Sequence, residues 1–417
     1  MGKPLFLTGR AQSVGVELGV WQRNILRERV ARTFRRAEIL GLHDVLRARA
    51  AEFSDVVASV APHWLVEARA QSAAAETEAW QLLAINCLPA NFWGKRNREY
   101  LAPPLETVGD ESDLIDVYDA QGVEAGEGGG DCTSFFALGG ATLSGDAILH
   151  KNRDERDEVQ WCGIRQNEEG FRWAGTGDIG NIGAAWVQTE NEWAGANNSG
   201  SVVVEGEWLD GKLSDAHALR FFAETCARLE EIPAAVESLV AAEVLGGGGP
   251  NGSNIWLFCS AERALVIEAT SRRFALRWFD ESDAMDVRTN HFLLPEMQEF
   301  ARAPHPSSVA RLERASALWH PQNGIASISG SVELGRDRVG APFAICRNTE
   351  DNLNSVTVST ATATLSAIDP RRCQSHLRNG HPMFCPAVIL CPVDTVCDSE
   401  LVSGAHNNRW RRERDKS

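Results

Sequence analysis

The apolar periodicity of this chain changes at Cys132, and that change limits the architectures open to it. Over residues 20–49 apolar side chains recur at helical spacing (Trp21, Ile25, Leu26, Val30, Phe34, Ile39), with arginines filling the other faces. A second helical stretch covers residues 50–83, broken near Pro62, and the chain then loosens through Pro89, Pro103 and Pro104. Beyond Cys132 the apolar runs shorten to strand length at 147–150, 182–188, 200–204, 255–258 and 264–268, with Gly, Asn and Asp between them. Helical patterns return at 215–230 and 233–244. Strands grouped with paired helices point to a layered α+β fold rather than a doubly wound parallel sheet. No internal repeat is evident.

Composition narrows the partners. A chain of 417 residues, 43% hydrophobic and 24% charged, can bury one large or two modest cores. Its net charge of −16 argues against nucleic acid or an anionic membrane as the main partner, because both select basic surfaces. The basic end, residues 409–416, reads as a solvated tail. No stretch approaches the ~20 apolar residues of a membrane span. The first ten residues fit neither a signal peptide nor, with Phe6, a myristoylation site, so a cytoplasmic location is expected. Ten cysteines are too sparse for a disulfide scaffold. Cys373, Cys385, Cys391 and Cys397 cluster with His376 and His381, but no Cys-x-x-Cys pair is present. Buried or incidental thiols are therefore expected rather than zinc.

Cys132 follows a glycine-rich acidic run, residues 124–131, and opens an alternating strand that closes at Lys151-Asn152-Arg153-Asp154. Residues 120–131 have the composition of an exposed loop, where a processing site would lie. Cleavage between Asp131 and Cys132 would leave a thiol and a free α-amine on one residue. An α-amine, with an ordinary pKa of about 7.7–8.0, takes a thiol proton near neutrality; an ordinary lysine at about 10.4 does so poorly. Nucleophile and base would then share one position, as in N-terminal-nucleophile (Ntn) catalysis. The plainer alternative is a small buried core cysteine.

The residues from Cys132 to Phe136, the turn at Ser144-Gly145-Asp146 and the closing Lys151-Asn152-Arg153-Asp154 resemble the mature N-terminus of cysteine Ntn hydrolases. Choloylglycine hydrolases of that superfamily usually carry Arg-Asn-x-Asp, so Lys151 is a departure: it lacks the planar fork of an arginine. Arg288-Thr289-Asn290-His291-Phe292 and Ala344-Ile345-Cys346-Arg347 resemble the acyl-coenzyme A:6-aminopenicillanate acyltransferase branch, which includes isopenicillin N acyltransferases and β-alanyl-amine hydrolases. The similarity runs from about residue 15 to residue 393.

The resemblance implies a four-layer αββα sandwich with a helical N-terminal region. Residues 1–131 would form one fragment after self-cleavage, and residues 132–417, with a basic tail from about 404, the catalytic one. It also implies roles. Cys132 is the nucleophile and Asp154 orients its α-amine; the residue-level alternative for Asp154 is a turn cap or a solvated charge. Asn290 and either Asn197 or Asn198 hold the oxyanion. Asn197 is preferred, although Asn-Asn-Ser-Gly is equally ordinary turn chemistry. A packed or capping role suits His291 better than a general base. Arg347, ending an apolar strand at 343–347, sits near the nucleophile or else forms a surface ion pair with Asp337 or Glu350. Lys151 would steer acidic substrate groups, and Ser253 would line the pocket.

The activity expected is hydrolysis of a non-peptide carbon–nitrogen bond in a small N-acyl compound through an acyl-enzyme. Acyl transfer from acyl-coenzyme A or an amide donor to an amine is the alternative, and an uncut binding protein on the same fold is the alternative of another class. No cofactor or metal is required by this chemistry. The partners expected are a small amide or thioester and the two fragments of the chain itself.

Overall fold

The computed structural model describes residues 4–39, 41–87, 132–155, 160–168, 170–200, 203–247, 252–320, 326–348, 356–369, 373–379 and 388–390. Asp131, the Gly-rich run before it, Cys385, Cys391, Cys397, His381 and the basic tail lie outside the described residues.

Four helices open the chain: α1 (Ala11–Ile39), α2 (His43–Val60), α3 (Pro62–Ala74) and α4 (Ala79–Asn86). In α1 the buried positions Val14, Leu18, Gln22, Leu26, Val30 and Phe34 recur every four residues, which lines them along one face. Ile25, read from the sequence as part of the apolar face, is instead exposed. Pro62 does break the stretch: it starts α3, where its missing N–H costs nothing. Gly15 and Gly19 let α1 lie directly on α3, because an added Cβ at either would come within 2.3 Å of the Glu67 or Gln71 carbonyl oxygen.

The strands form two sheets. The first has eight, in the order β1 (Leu5–Gly9), β4 (Gln160–Asn167), β5 (Trp173–Asp178), β6 (Trp186–Thr189), β7 (Trp193–Ser199), β8 (Asn254–Ser260), β9 (Ala264–Ala269) and β10 (Phe274–Phe279). The second has six: β11 (Met285–Arg288), β2 (Thr133–Ala137), β3 (Ala147–Glu155), β12 (Val356–Leu365), β13 (Gln374–Asn379) and β14 (Val388–Leu390). Every pairing is antiparallel except β1 with β4. Of the expected strand runs, 182–188 shortens to β6, and among the described residues of 200–204 Val203 pairs as a single bridge to Ala301. Residues 343–347 make no strand.

Strand alternation explains the layers. In β8, Ile255, Leu257 and Cys259 face the core between the sheets, whereas Trp256 and Phe258 face the helices. Phe136, Leu149, Ala194 and Ala196 join that central core. α1–α4 and the helices Asp215–Thr225 and Ile232–Ala241 cover the first sheet, over Trp161, Trp173, Trp193 and Trp256. The helices Pro306–Leu318 and Ile328–Leu334 cover the second, over Phe135, Ala137 and Val287. The order is helix, sheet, sheet, helix, so the αββα sandwich is observed.

A buried ion network docks the N-terminal helices. Glu67 of α3 pairs with Arg165 of β4 and, at 2.7 Å, with Arg220 of the Asp215–Thr225 helix. Arg220 also holds Glu224 at 2.8 Å, and Trp64 and His63 of α3 reach the same carboxylate at 2.7 and 2.9 Å. Burial alone would raise the Glu224 carboxyl, but Arg220 and His63 outweigh it and bring it down to about 2. Loss of one partner would strand a buried charge, which is far costlier than loss of a surface pair.

His217 completes the dock. Its Nδ1 accepts from the Ser214 N–H at 3.0 Å, and its Nε2 meets Asn86 Oδ1 of α4 at 3.2 Å, an arrangement that suits the neutral ring. Burial, aided by Arg220, pushes its pKa down to about 3. In the unfolded chain the ring protonates at about pH 6.5, so stability is full above that pH and is lost as the pH falls toward about 3. Thermal unfolding of the wild type should therefore shift to lower temperature below about pH 6.5, and His217→Gln should flatten that slope. Equal slopes would contradict the assignment.

Candidate active site

Cys132 precedes the first residue of β2, and the β2–β3 register places its neighbours. Thr133 pairs with Asn152 and Ser134 with Lys151, so Cys132 falls one step further, beside Arg153. Parity then separates two groups. Ser134 and Phe136 of β2, with Leu149, Lys151 and Arg153 of β3, face the space between the sheets. Thr133, Phe135, His150, Asn152 and Asp154 face the outer helices. Cys132 is buried and shares the inter-sheet side.

Lys151 lies on the same inter-sheet side as the thiol. Its Nζ lies in hydrogen-bonding relation to Cys132, donates to the Asn197 carbonyl oxygen, and donates to Asn198 Oδ1 at 3.1 Å. Burial pulls its pKa below the ordinary lysine value; the Cys132 thiolate and Asp215 act the other way, and Arg153 adds to the lowering. Arg153 is occupied by Asp178, at 2.6 Å. Lys151 was expected to steer acidic substrate groups; here its amine is turned inward, toward Cys132 and two oxygens of β7.

On the outer side Asp154 is buried and accepts from Thr357 Oγ1 at 2.6 Å, with Arg347 Nε 3.8 Å away. Arg347 also donates to Ser307 Oγ. It is therefore a buried neighbour of Asp154 and not a surface partner of Asp337, which pairs with Arg314 at 2.6 Å. Glu350 lies outside the described residues.

Asn197 and Asn198 lie on strand β7 and not in a turn, because all seven residues of β7 pair with β8. The turn reading of Asn-Asn-Ser-Gly is thereby replaced by a strand. With Ala194 and Ala196 in the central core, Asn198 shares their face, and Asn197 takes the opposite, helix-side face of Trp193. Asn198 is the residue beside the site. Its Oδ1 accepts from Ser134 Oγ at 2.8 Å and from Lys151, and its Nδ2 donates to the Arg288 and Thr289 carbonyls, each at 3.0 Å. Both amide hydrogens are thus engaged in joining the two sheets, which is a positioning role.

Asn290 follows β11 and is buried. Its Nδ2 donates to the Ser199 carbonyl at 2.6 Å and its Oδ1 accepts from Arg311 at 2.8 Å. His291 is packed against Ser308 at 2.7 Å, and burial with Arg311 and Arg288 brings its pKa down to about 4, so it is neutral at neutral pH. Ser253 opens the strand next to Gly200, where an added Cβ would come within 2.3 Å of Ser253 Oγ. It fixes that strand end.

Arg311 was not anticipated. It is fully buried in the Pro306–Leu318 helix and donates to the Cys132 carbonyl, to Thr133 Oγ1 at 3.0 Å and to Asn290 Oδ1. It ties the backbone of Cys132 to Asn290. The available signal was spacing: Ser307, Arg311 and Ala315 fall four apart on one buried face, where an arginine demands partners. Among the described residues, no cluster of three or more His, Cys, Asp or Glu side chains could hold a metal, and no helix is long and apolar enough to cross a membrane.

Asn290→Asp would keep the oxygen that faces Arg311 and remove both amide donors. A turnover loss of ~10²–10³ with retained folding is expected if the amide serves an oxyanion, and undiminished turnover would exclude that role.

No curated protein sequence matches this chain. Among solved structures it is similar to the Caenorhabditis elegans ortholog of N-acylethanolamine-hydrolyzing acid amidase, at 14% identity over 57% of this chain and 94% of that one, with a TM-score of 0.37. It is also similar to a mutant conjugated bile acid hydrolase from Clostridium perfringens, at 14% identity over 61% of this chain and 92% of that one, with a TM-score of 0.38. Likenesses of that size leave the fold to be argued from the chain itself. A family model matches residues 194–379, which include Asn197, Asn198, Ser253, Asn290 and Arg347 but not Cys132, Lys151 or Asp154. Over that span, less than half of its length, the chain is similar to the acyl-coenzyme A:6-aminopenicillanic acid acyl-transferase family.

Proposed function

We propose that this protein is a self-processing N-terminal-cysteine amidohydrolase that cleaves the amide of a small N-acyl compound through an acyl-enzyme on Cys132. The observation that carries this reading is the position of Cys132, buried at the start of β2 with a lysine at its thiol and a buried arginine on its carbonyl. A core cysteine needs neither.

Two stages follow from the chemistry. In the first, the thiol attacks the carbonyl carbon of Asp131, and the thioester so formed is hydrolysed, leaving fragments 1–131 and 132–417. In the second, the new α-amine of Cys132 takes the thiol proton and the thiolate attacks the substrate carbonyl. Asp154, fixed by Thr357 and Arg347, would orient that amine, and Asn290 would donate to the oxyanion. The leaving amine departs with a proton, and water then releases the acid. Interception of the same acyl-enzyme by an amine would give acyl transfer, the second reading, which the family match favours.

The fragments are proposed to stay together. β1 pairs with β4 across the cleavage point, and the Glu67, Arg165 and Arg220 network joins α3 to the catalytic sheet.

Brief exposure to activated amides and thioesters, followed by acid quenching and mass analysis, tests the catalytic step. The fragment beginning at Cys132 should gain the mass of one acyl group, and Cys132→Ala should gain none. Equal acylation of both proteins would refute the assignment.

A further inference from the structure

We propose that Lys151 is the base that takes the Cys132 thiol proton in the intact chain, before any free α-amine exists. This inference rests on the self-processing reading and supplies the step it lacks. Until the bond before Cys132 is cut, its nitrogen is an amide and cannot serve as the base.

The geometry of the Lys151 amine suits that task. Two of its hydrogens are committed to fixed oxygens, the Asn197 carbonyl and Asn198 Oδ1, and the β2–β3 register puts Cys132 on the same side of the sheet, in hydrogen-bonding relation to the amine. A charged amine directs its third N–H at the sulfur. A neutral amine keeps both oxygens and directs its lone pair at the S–H. The proton can therefore pass between sulfur and nitrogen without any other hydrogen bond being remade. The oxygens are themselves held, since Asn198 is clamped by Ser134 and by the Arg288 and Thr289 carbonyls.

Three other groups complete the surroundings. Arg153, on the same strand, disfavours charge on the amine; Asp215, from the Asp215–Thr225 helix, favours it and is bound by Ser199 Oγ at 3.0 Å and the Ala216 N–H at 2.8 Å. From the opposite side Arg311 holds the Cys132 carbonyl. Burial is the largest influence and lowers the lysine's pKa, which favours the neutral amine that can act as a base. An arginine could not do this, because a guanidinium is not deprotonated in proteins. The chain has only five lysines among its 41 basic residues, and one of them is at the nucleophile.

The step balances. The Cys132 thiol proton moves to Lys151 Nζ, and the thiolate adds to the carbonyl carbon of the preceding peptide bond. When that carbon–nitrogen bond breaks, the ammonium returns the proton to the departing α-amine. The acyl group is left on sulfur, and water opens the thioester to a carboxylic acid and the thiol.

Self-cleavage should be followed by intact mass from about pH 5 to about pH 9 in the wild type and in Lys151→Arg, which keeps the charge but cannot act as the base. The wild-type rate should rise with pH as the amine loses its proton, and Lys151→Arg should be at least ~100-fold slower throughout. Equal rates would overturn the proposal, since a fixed charge would then suffice. Carbon-13 labelling at lysine Cε gives a readout independent of cleavage. The Lys151 signal, assigned by its loss in Lys151→Arg, should titrate at lower pH in Cys132→Ala, because the thiolate is the strongest group supporting its charge. An unchanged midpoint overturns the pairing. A wild-type chain that stays whole while the midpoint moves counts against self-processing and leaves the pair standing.

Discussion

The pairing of β2 with β3 is the constraint on which the site depends. It sets Ser134 opposite Lys151, which leaves Cys132 beside Arg153 and turns the thiol and the lysine to the same side. A slip of one residue would send Lys151 to the helix face and His150 to the central core. The register is secured on that helix face. His150 stacks on Phe135 at 4.6 Å, and Asn152 donates to the Gly335 and Ile345 carbonyls at 2.7 and 3.0 Å. Packing behind the sheet thus determines chemistry in front of it.

The two faces divide the work. Between the sheets, the Asn197 carbonyl and Asn198 Oδ1 hold the amine of Lys151 on the same side of the sheet as the thiol. Behind the second sheet, Arg311 and Arg347 reach the same strand ends from the other side, one on the Cys132 carbonyl and the other on Asp154. Two buried arginines behind Cys132 are expensive unless each hydrogen bond is made. Ser307 accepts from both, which couples them, and Thr357 fixes Asp154. The N-terminal helices are equally tied, since their strand β1 completes the first sheet.

What the sequence made legible followed from periodicity and turn chemistry. The helical face of α1, the break at Pro62 and the strand after Cys132 were all visible as spacing. The shift from 182–188 to β6 at Trp186–Thr189 was not, because Gly183, Ala184 and Ala185 lie in a bend that hydropathy does not distinguish from a strand. Asn-Asn-Ser-Gly looks like a turn in sequence; pairing with β8 makes it part of a strand, and strand parity then puts Asn197 and Asn198 on opposite faces. Arg311 was hidden for a different reason. A helical arginine usually snorkels to solvent, and only the tertiary arrangement shows this one enclosed by Cys132, Thr133 and Asn290. Lys151 was seen as a departure from arginine, but its meaning depends on burial and on two oxygens of a strand far along the chain.

Intact-mass analysis of the purified protein beside Cys132→Ala tests the central claim most directly. The account predicts that the wild type divides between Asp131 and Cys132 into two fragments that remain associated, and that the variant keeps the full-length mass. A wild-type chain that remains whole, or a variant that is cut at the same bond, would contradict it.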